Sequence, residues 1–521
     1  MIFLFLLITQ DIKKEVRIFV NEHKDVYVIH NLGVSIENYN GEFIETHLDN
    51  NMIQKLKERG YRVEIIDKKE DYPKVDYHNY ASMVSKLDSI VSQYPAIAKK
   101  YIVGTTQQGR TIWALKISDN VELDEREPEV RFIGIIHGDE PIGCELTLYL
   151  ADTLTKSYGI DSYLTSLVND REIYLIPMFN VDGRENSSRF YANGVDPNRN
   201  FPVPDGSIGD DGTYTIFQET QNLMDWSDTM NFVLSVTYHS GAKIVNYQWD
   251  YTNAYPPLYS LIRKIAIGYA IRNDTIFYSP DPSWCADSGT VRGYLWYPAP
   301  GSLQDWSYHW TGCIDYTIEL NSSKWPSSSK LPVIWENNKK SMLWLIEQAG
   351  KGIRGIVKDS ITGNTIQAEY SIQGVNKTFR TGKNGDFSRP LLNGNWTLVF
   401  TKTGYFEKVV SNIPVSFDST TFIEVLMKPI SGMIEDTMHL SIIIEKYPFL
   451  KESFLYFIPE SGNYSLKIFD LSGRIVKNIF DGKFINKGIY TCNIGDLKDG
   501  VYFIIINSER ERITKKVIYL K

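Results

Sequence analysis

Only four cysteines occur in 521 residues: Cys144, Cys285, Cys313 and Cys492. So few cannot build a disulfide scaffold, and without a C-x-x-C pair they exclude a thiolate zinc finger. Basic charge has no surplus either, since 55 Lys and Arg stand against 63 Asp and Glu, for a formal net charge of -8. Nucleic acid is therefore not an expected partner, because phosphate binding needs a basic face. No segment beyond the start is long and apolar enough for a transmembrane helix. What remains is ordinary soluble protein, 43% hydrophobic and 23% charged. One hydrophobic core stops growing at about 250–300 residues, so several domains are expected.

The start, Met1 to Thr9, reads MIFLFLLIT and is followed by polar and charged residues. Its length suits the apolar region of a signal peptide and cannot span a bilayer. Residues 1–10 are thus expected to be a signal peptide. A positive n-region and an A-x-A cleavage site are missing, and the competing reading is a buried first strand.

Residues 11–75 alternate apolar and polar in EVRIFV, DVYVIH and RVEII, with a helical stretch near Met52–Arg59. They predict a small α/β module, either a pro-segment or a packing domain. Over 76–349 the apolar strands RFIGIIH, REIYLIPMF and NFVLSVTYH alternate with helical ELTLYLADTLTKSY and PPLYSLIRKIAIGYAI. That pattern predicts an α/β domain, a mixed sheet flanked by helices. After Gly350 helical patterning stops. Short strands between Gly-Asn, Asn-Gly and Thr-Gly turns predict a β-sandwich over 350–430 and a second over 431–521.

The chemistry-bearing residues gather in the α/β domain. His137-Gly-Asp-Glu140 follows the apolar RFIGII, and a second apolar run, FVLSVTY, ends in His239. Two histidines at the carboxyl ends of central strands plus one glutamate suit an open zinc site. Alone, H-x-x-E is a weak signal, since a histidine so placed is commonly structural.

Further motifs follow in order: Asn180-Val-Asp-Gly, Ser188-Arg189, Gly194-Val-Asp-Pro-Asn198-Arg199-Asn200-Phe201-Pro202, Gly301-Ser-Leu-Gln304-Asp-Trp-Ser-Tyr308 and Tyr316-Thr-Ile-Glu319-Leu. Across about residues 77–349 this ordered set resembles the zinc metallocarboxypeptidases, in particular the regulatory branch of carboxypeptidases D, E, M and N. The resemblance implies that His137, Glu140 and His239 bind one zinc ion per chain. It implies that Glu319 is the general base, taking a proton from the attacking water and passing it to the leaving amine. Arg199 with Asn198 would clamp the terminal carboxylate of a peptide or protein, for which the planar guanidinium fork is suited. Arg189 would stabilise the oxyanion, and Tyr308 would close over bound substrate. Asp250, in Asn246-Tyr-Gln-Trp-Asp250, matches an aspartate tied to C-terminal Lys or Arg, with Gln304 near the same pocket.

Departures are visible. Ser-Gly follows His239 where Gly-Gly is usual, NSSK replaces a Cys-Cys-Lys stretch after Glu319, and Gln248 replaces a proline. The last would let Asp250 turn outward into solvent. Cysteines at the places of Cys285 and Cys313 also occur in that branch, which implies a disulfide. The first sandwich resembles the branch's transthyretin-like module. The tail, with SGNYSLKIFDLSGRIV and DGVYFIIIN, resembles the C-terminal sorting domain of type IX secretion cargo. The last two resemblances imply a secreted or cell-surface protein handled by secretion machinery. Rival readings are an inactive peptide- or glycan-binding protein, a cell-wall peptide amidase, a deacylase, and a broad or hydrophobic-specific carboxypeptidase.

Overall fold

The computed structural model describes residues 13–66, 77–210, 212–430, 440–444, 449–450 and 453–520. The expected signal segment 1–10 and the joints at 67–76 and 431–439 lie outside the described residues.

In the first module, alternation in β1 (Lys14–Phe19) turns Val16 and Ile18 inward. It pairs antiparallel with β3 (Phe43–Leu48) and β4 (Arg62–Ile65), and β2 (Asn38–Tyr39) completes the order β2-β3-β1-β4. The DVYVIH segment, whose alternation suggests a strand, is instead part of the helix Lys24–Asn31. It buries Val26 and Ile29, three residues apart, a spacing that a period of 3.6 satisfies as well as alternation does. A second helix, Asn50–Glu58, is capped by Asp49, whose side chain accepts from the Met52 N–H.

The α/β domain is built on eight strands. In chain order these are β5 (Ala98–Thr105), β6 (Thr111–Ile117), β7 (Glu129–Ile133), β8 (Glu172–Ile176), β9 (Phe232–His239), β10 (Ala242–Tyr247), β11 (Thr290–Arg292) and β12 (Ile314–Asn321). Their spatial order is β11-β10-β12-β9-β7-β8-β6-β5. The middle four run parallel, while β6 and β10 are antiparallel to the neighbours that join them to it. Every residue of β7, β8 and β9 is buried, as expected where helices such as Ile142–Ser157 and Leu331–Ala349 cover the faces.

The apolar run RFIGIIH does not stay a strand to its histidine. Pairing ends at Ile133, and Ile135 takes the left-handed region at φ 51°. Gly134 passes so close to the next strand's exit that a Cβ there would meet the Pro177 carbonyl at 2.4 Å. This turn carries His137 off the sheet and delivers Glu140 just ahead of the helix Ile142–Ser157.

Beyond Ala349 the described residues contain no helix. Residues 352–427 form one sheet of three strands and one of four, and the terminal strands between 441 and 519 form one of three and one of five. Among the described residues no helix is long and apolar enough to cross a membrane. All four cysteines are free thiols. Cys313 packs with Tyr174 and Phe232, while Cys285 packs against the first module's core, so the implied disulfide is not formed.

Candidate active site

The carboxyl ends of β7, β9 and β12 converge on one cavity. Glu140 stands between the histidines: one oxygen lies 3.0 Å from His137 Nδ1 and the other 3.1 Å from His239 Nδ1. The three donors fall within 4.8 Å of one another, and all three residues are buried. Two imidazoles and one carboxylate are a donor set that zinc accepts. Burial pushes His239 down to about 4, which keeps the ring neutral as a metal ligand must be. Ser240 donates its backbone N–H to Glu140, in the position where the branch usually has glycine.

Behind this group sits a residue to which the resemblance assigned no role. Asp196 accepts from Arg189 Nε at 2.8 Å and from the Asn198 N–H at 2.9 Å, and lies 3.1 Å from His137 Nε2. Burial opposes its charge, but the Arg189 guanidinium and His137 outweigh burial and hold its carboxyl well below the usual range. It thereby fixes the orientation of a ligand histidine and of the oxyanion arginine together. The only signal was its place in Gly-Val-Asp-Pro-Asn.

Glu319, in β12, pairs in register with His239 of β9. One of its oxygens is buried without a hydrogen-bond partner. Burial and the nearby Glu140 raise its carboxyl well above the ordinary value, against the pull of Lys324 and Arg189. Lys324, from the divergent NSSK stretch, also lines the cavity and donates to Asp139 at 2.7 Å.

A tight turn at Pro197–Arg199 presents the Arg199 guanidinium, which is 2% exposed. Asn198 spends its side-chain oxygen on the Leu303 N–H at 2.9 Å, which ties this turn to the loop opposite. Asp250 lies in the same cavity, buried and accepting from Asn246 Nδ2 at 3.2 Å. Gln248 does not let it swing outward. Its amide is bonded to the carbonyls of Gln304 and Asp315, and the Asp305 carboxylate takes the N–H groups of Asp250 and Tyr251. Burial pushes the Asp250 carboxyl up to about 6, despite hydrogen bonds from Ser302 and Asn246. Gly293 is packed against it so closely that a Cβ would fall 1.6 Å from Asp250 Oδ1.

Two assigned residues are placed differently. Gln304 does not line the cavity; it stands behind Asn246, donating to it at 3.2 Å and accepting from the Thr317 N–H. Tyr308 is fully buried, its hydroxyl given to the Pro257 carbonyl and its ring 5.5 Å from Trp249. The tyrosine on the cavity wall is Tyr297. Both tyrosines flank the GSLQDW stretch, and sequence order alone pointed to the wrong side.

A central parallel sheet whose strand ends gather two histidines, a glutamate, a second buried carboxylate and two arginines belongs to a known class. Residues 83–341 match the family model described as zinc carboxypeptidase, and the chain belongs to that family. Human carboxypeptidase D is 34% identical over 361 residues, which cover 65% of this chain and 26% of that protein, so the chain spans about a quarter of its length. The human carboxypeptidase N catalytic chain is 30% identical over 380 residues, 64% of this chain and 82% of that one. The fold is that of the carboxypeptidase A from Helicoverpa armigera, at TM-score 0.52 and 17% identity over 65% of this chain and 97% of that one. Residues 451–520 match the model of a secretion system C-terminal sorting domain.

Proposed function

We propose that the protein is a zinc-dependent exopeptidase that removes the last residue of peptides or proteins and prefers C-terminal Lys or Arg. The observation that carries this reading is one cavity holding the metal-type triad, Glu319, Arg199 and the buried Asp250 together. Zinc held by His137, Glu140 and His239 would supply a Lewis acid and a water acidified toward neutral pH.

The chain's own groups do the rest. Arg199 takes the substrate's terminal carboxylate by its two-pronged fork and so sets which bond is the last one. Arg189, already fixed by Asp196, faces the carbonyl oxygen as it gains charge. Glu319, with its free oxygen, accepts the water's proton and returns it to the departing amine. Tyr297, rather than Tyr308, stands where a side chain can close over the bound residue. Asp250 supports the basic preference because a buried cation needs an opposite charge beside it. The terminal sandwich supports export through a secretion machinery that reads it.

The test is a set of peptides that differ only in the last residue, run with native and metal-stripped protein. C-terminal Arg and Lys should be released faster than Phe or Leu, and chelation should abolish both reactions. Wild-type protein that favours Leu, or that keeps full activity after chelation, would refute the reading.

A further inference from the structure

The cavity is closed by the chain's own first module. Glu37 and Asn38 lie in its wall, and what remains is about 30 Å³, room for roughly one or two waters. No amino-acid side chain enters such a space.

The blocking segment engages the groups that a substrate would need. The Ile36 carbonyl accepts from Arg199 Nη2, so the carboxylate clamp is already in use. The Glu37 carboxylate stands 3.6 Å from Arg189 Nε, and the Glu37 carbonyl accepts from the Tyr297 hydroxyl at 3.2 Å. His47 holds Glu37 in place, with its backbone N–H at 2.9 Å and its Nδ1 at 2.8 Å from the carboxylate. The segment is also a poor substrate. It offers Arg199 a main-chain carbonyl in mid-chain and no terminal carboxylate, so there is no last bond to hydrolyse.

The seat is broad. Trp296 Nε1 donates to the Tyr39 carbonyl at 2.8 Å, Tyr27 donates to the Tyr294 carbonyl at 3.1 Å, and His30 lies 2.9 Å from Asp210. Ile244, Val291 and Trp296 of the α/β domain share one apolar cluster with Val16, Ile18, Ile29 and Leu56 of the module.

We propose that residues 14–65 are an intramolecular inhibitor whose Ile36–Asn38 segment occupies the substrate-binding arginines, and that activity requires this module to be cut away. The proposal rests on the carboxypeptidase reading for its activity assay and on the Arg199 contact for a second, independent readout.

The experiment places a specific protease recognition sequence between Ile66 and Tyr77 of the full chain. Activity on a C-terminal Arg peptide and labelling of Arg199 by phenylglyoxal, mapped by mass spectrometry, are followed before and after cutting and gel filtration. If the closed form outnumbers the open one by about a hundred, removal raises kcat/KM roughly a hundredfold, and Arg199 passes from protected to labelled. Uncut chain as active as cut chain, with Arg199 equally labelled in both, overturns the inhibitor while leaving the enzyme reading intact. Arg199 unmasked with no peptide cleaved upholds the plug and defeats the enzyme reading instead. Should the two pieces stay together after cutting, Glu37→Ala in the intact chain decides. Losing the carboxylate that faces Arg189 should raise activity and Arg199 labelling roughly tenfold, and no rise in either overturns the proposal.

Discussion

The α/β domain and the terminal sandwich bury different things. The sandwich core is Leu440, Phe454, Ile458, Leu466, Ile468, Ile504 and their like, and among its described residues no Asp, Glu, Lys, Arg, His, Asn, Gln, Ser or Thr is buried. The α/β domain buries His137, Glu140, Arg189, Asp196, Arg199, Asp250, Asp305 and Glu319, along with the Arg131–Asp315 pair. Burying a charge costs several kcal/mol unless it is paired, so a fold does not accumulate charges by accident. Where they gather, stability has been traded for chemistry; where they are missing, the fold has only to stand.

The contrast can be tested by making each region behave like the other. Glu319→Gln keeps the shape and removes the proton acceptor. It should cut turnover by ~100- to 10,000-fold while zinc content and melting temperature hold; a loss within about tenfold would assign the base elsewhere. Asp250→Ala should erase a preference for Arg over Leu worth about a hundredfold in kcat/KM, the equivalent of ~3 kcal/mol. The same group makes the preference pH-dependent. Because the free-site carboxyl is pushed up to about 6, the Arg-to-Leu ratio should fall as pH drops through that value and the carboxyl takes a proton. A ratio flat from pH 5 to 8 would clear Asp250 of the role.

Asp196→Asn keeps a hydrogen-bonding side chain but removes the charge that orients His137 and Arg189. A loss of ~10- to 100-fold in zinc affinity or turnover is expected, read by metal competition and by kinetics. Least affected should be the sandwich variant Leu466→Ala. It should lower that region's stability by about 2–5 kcal/mol and leave peptide hydrolysis unchanged; altered kinetics would mean that the sandwich takes part in the chemistry.

Much of this was legible in the sequence. Apolar strands that end in histidine, and an arginine two residues past a proline, announce themselves by position along the chain. The mixed sheet flanked by helices was readable for the same reason, since fully buried strands must be continuous in Val, Ile, Leu and Phe. Three things were hidden. The early end of β7 depends on a left-handed Ile135, for which an isoleucine gives no warning. The choice of Tyr297 over Tyr308 depends on which side of a short helical turn faces the cavity. The arrival of Glu37 in the site joins positions more than 150 residues from Arg189, and nothing local in Ser-Ile-Glu-Asn encodes that meeting.

Gly293 carries a consequence of its own. The space that Asp250 occupies exists because position 293 has no side chain, and a single added methyl would collide with the carboxylate. The preference for a basic last residue is therefore written twice, once as a charge at 250 and once as a missing atom 43 positions later. A lineage that retained the aspartate but acquired alanine at 293 would have to re-aim that carboxylate or abandon it. Change at this pair is thus coupled: the order in which the two positions mutate decides which diets remain reachable.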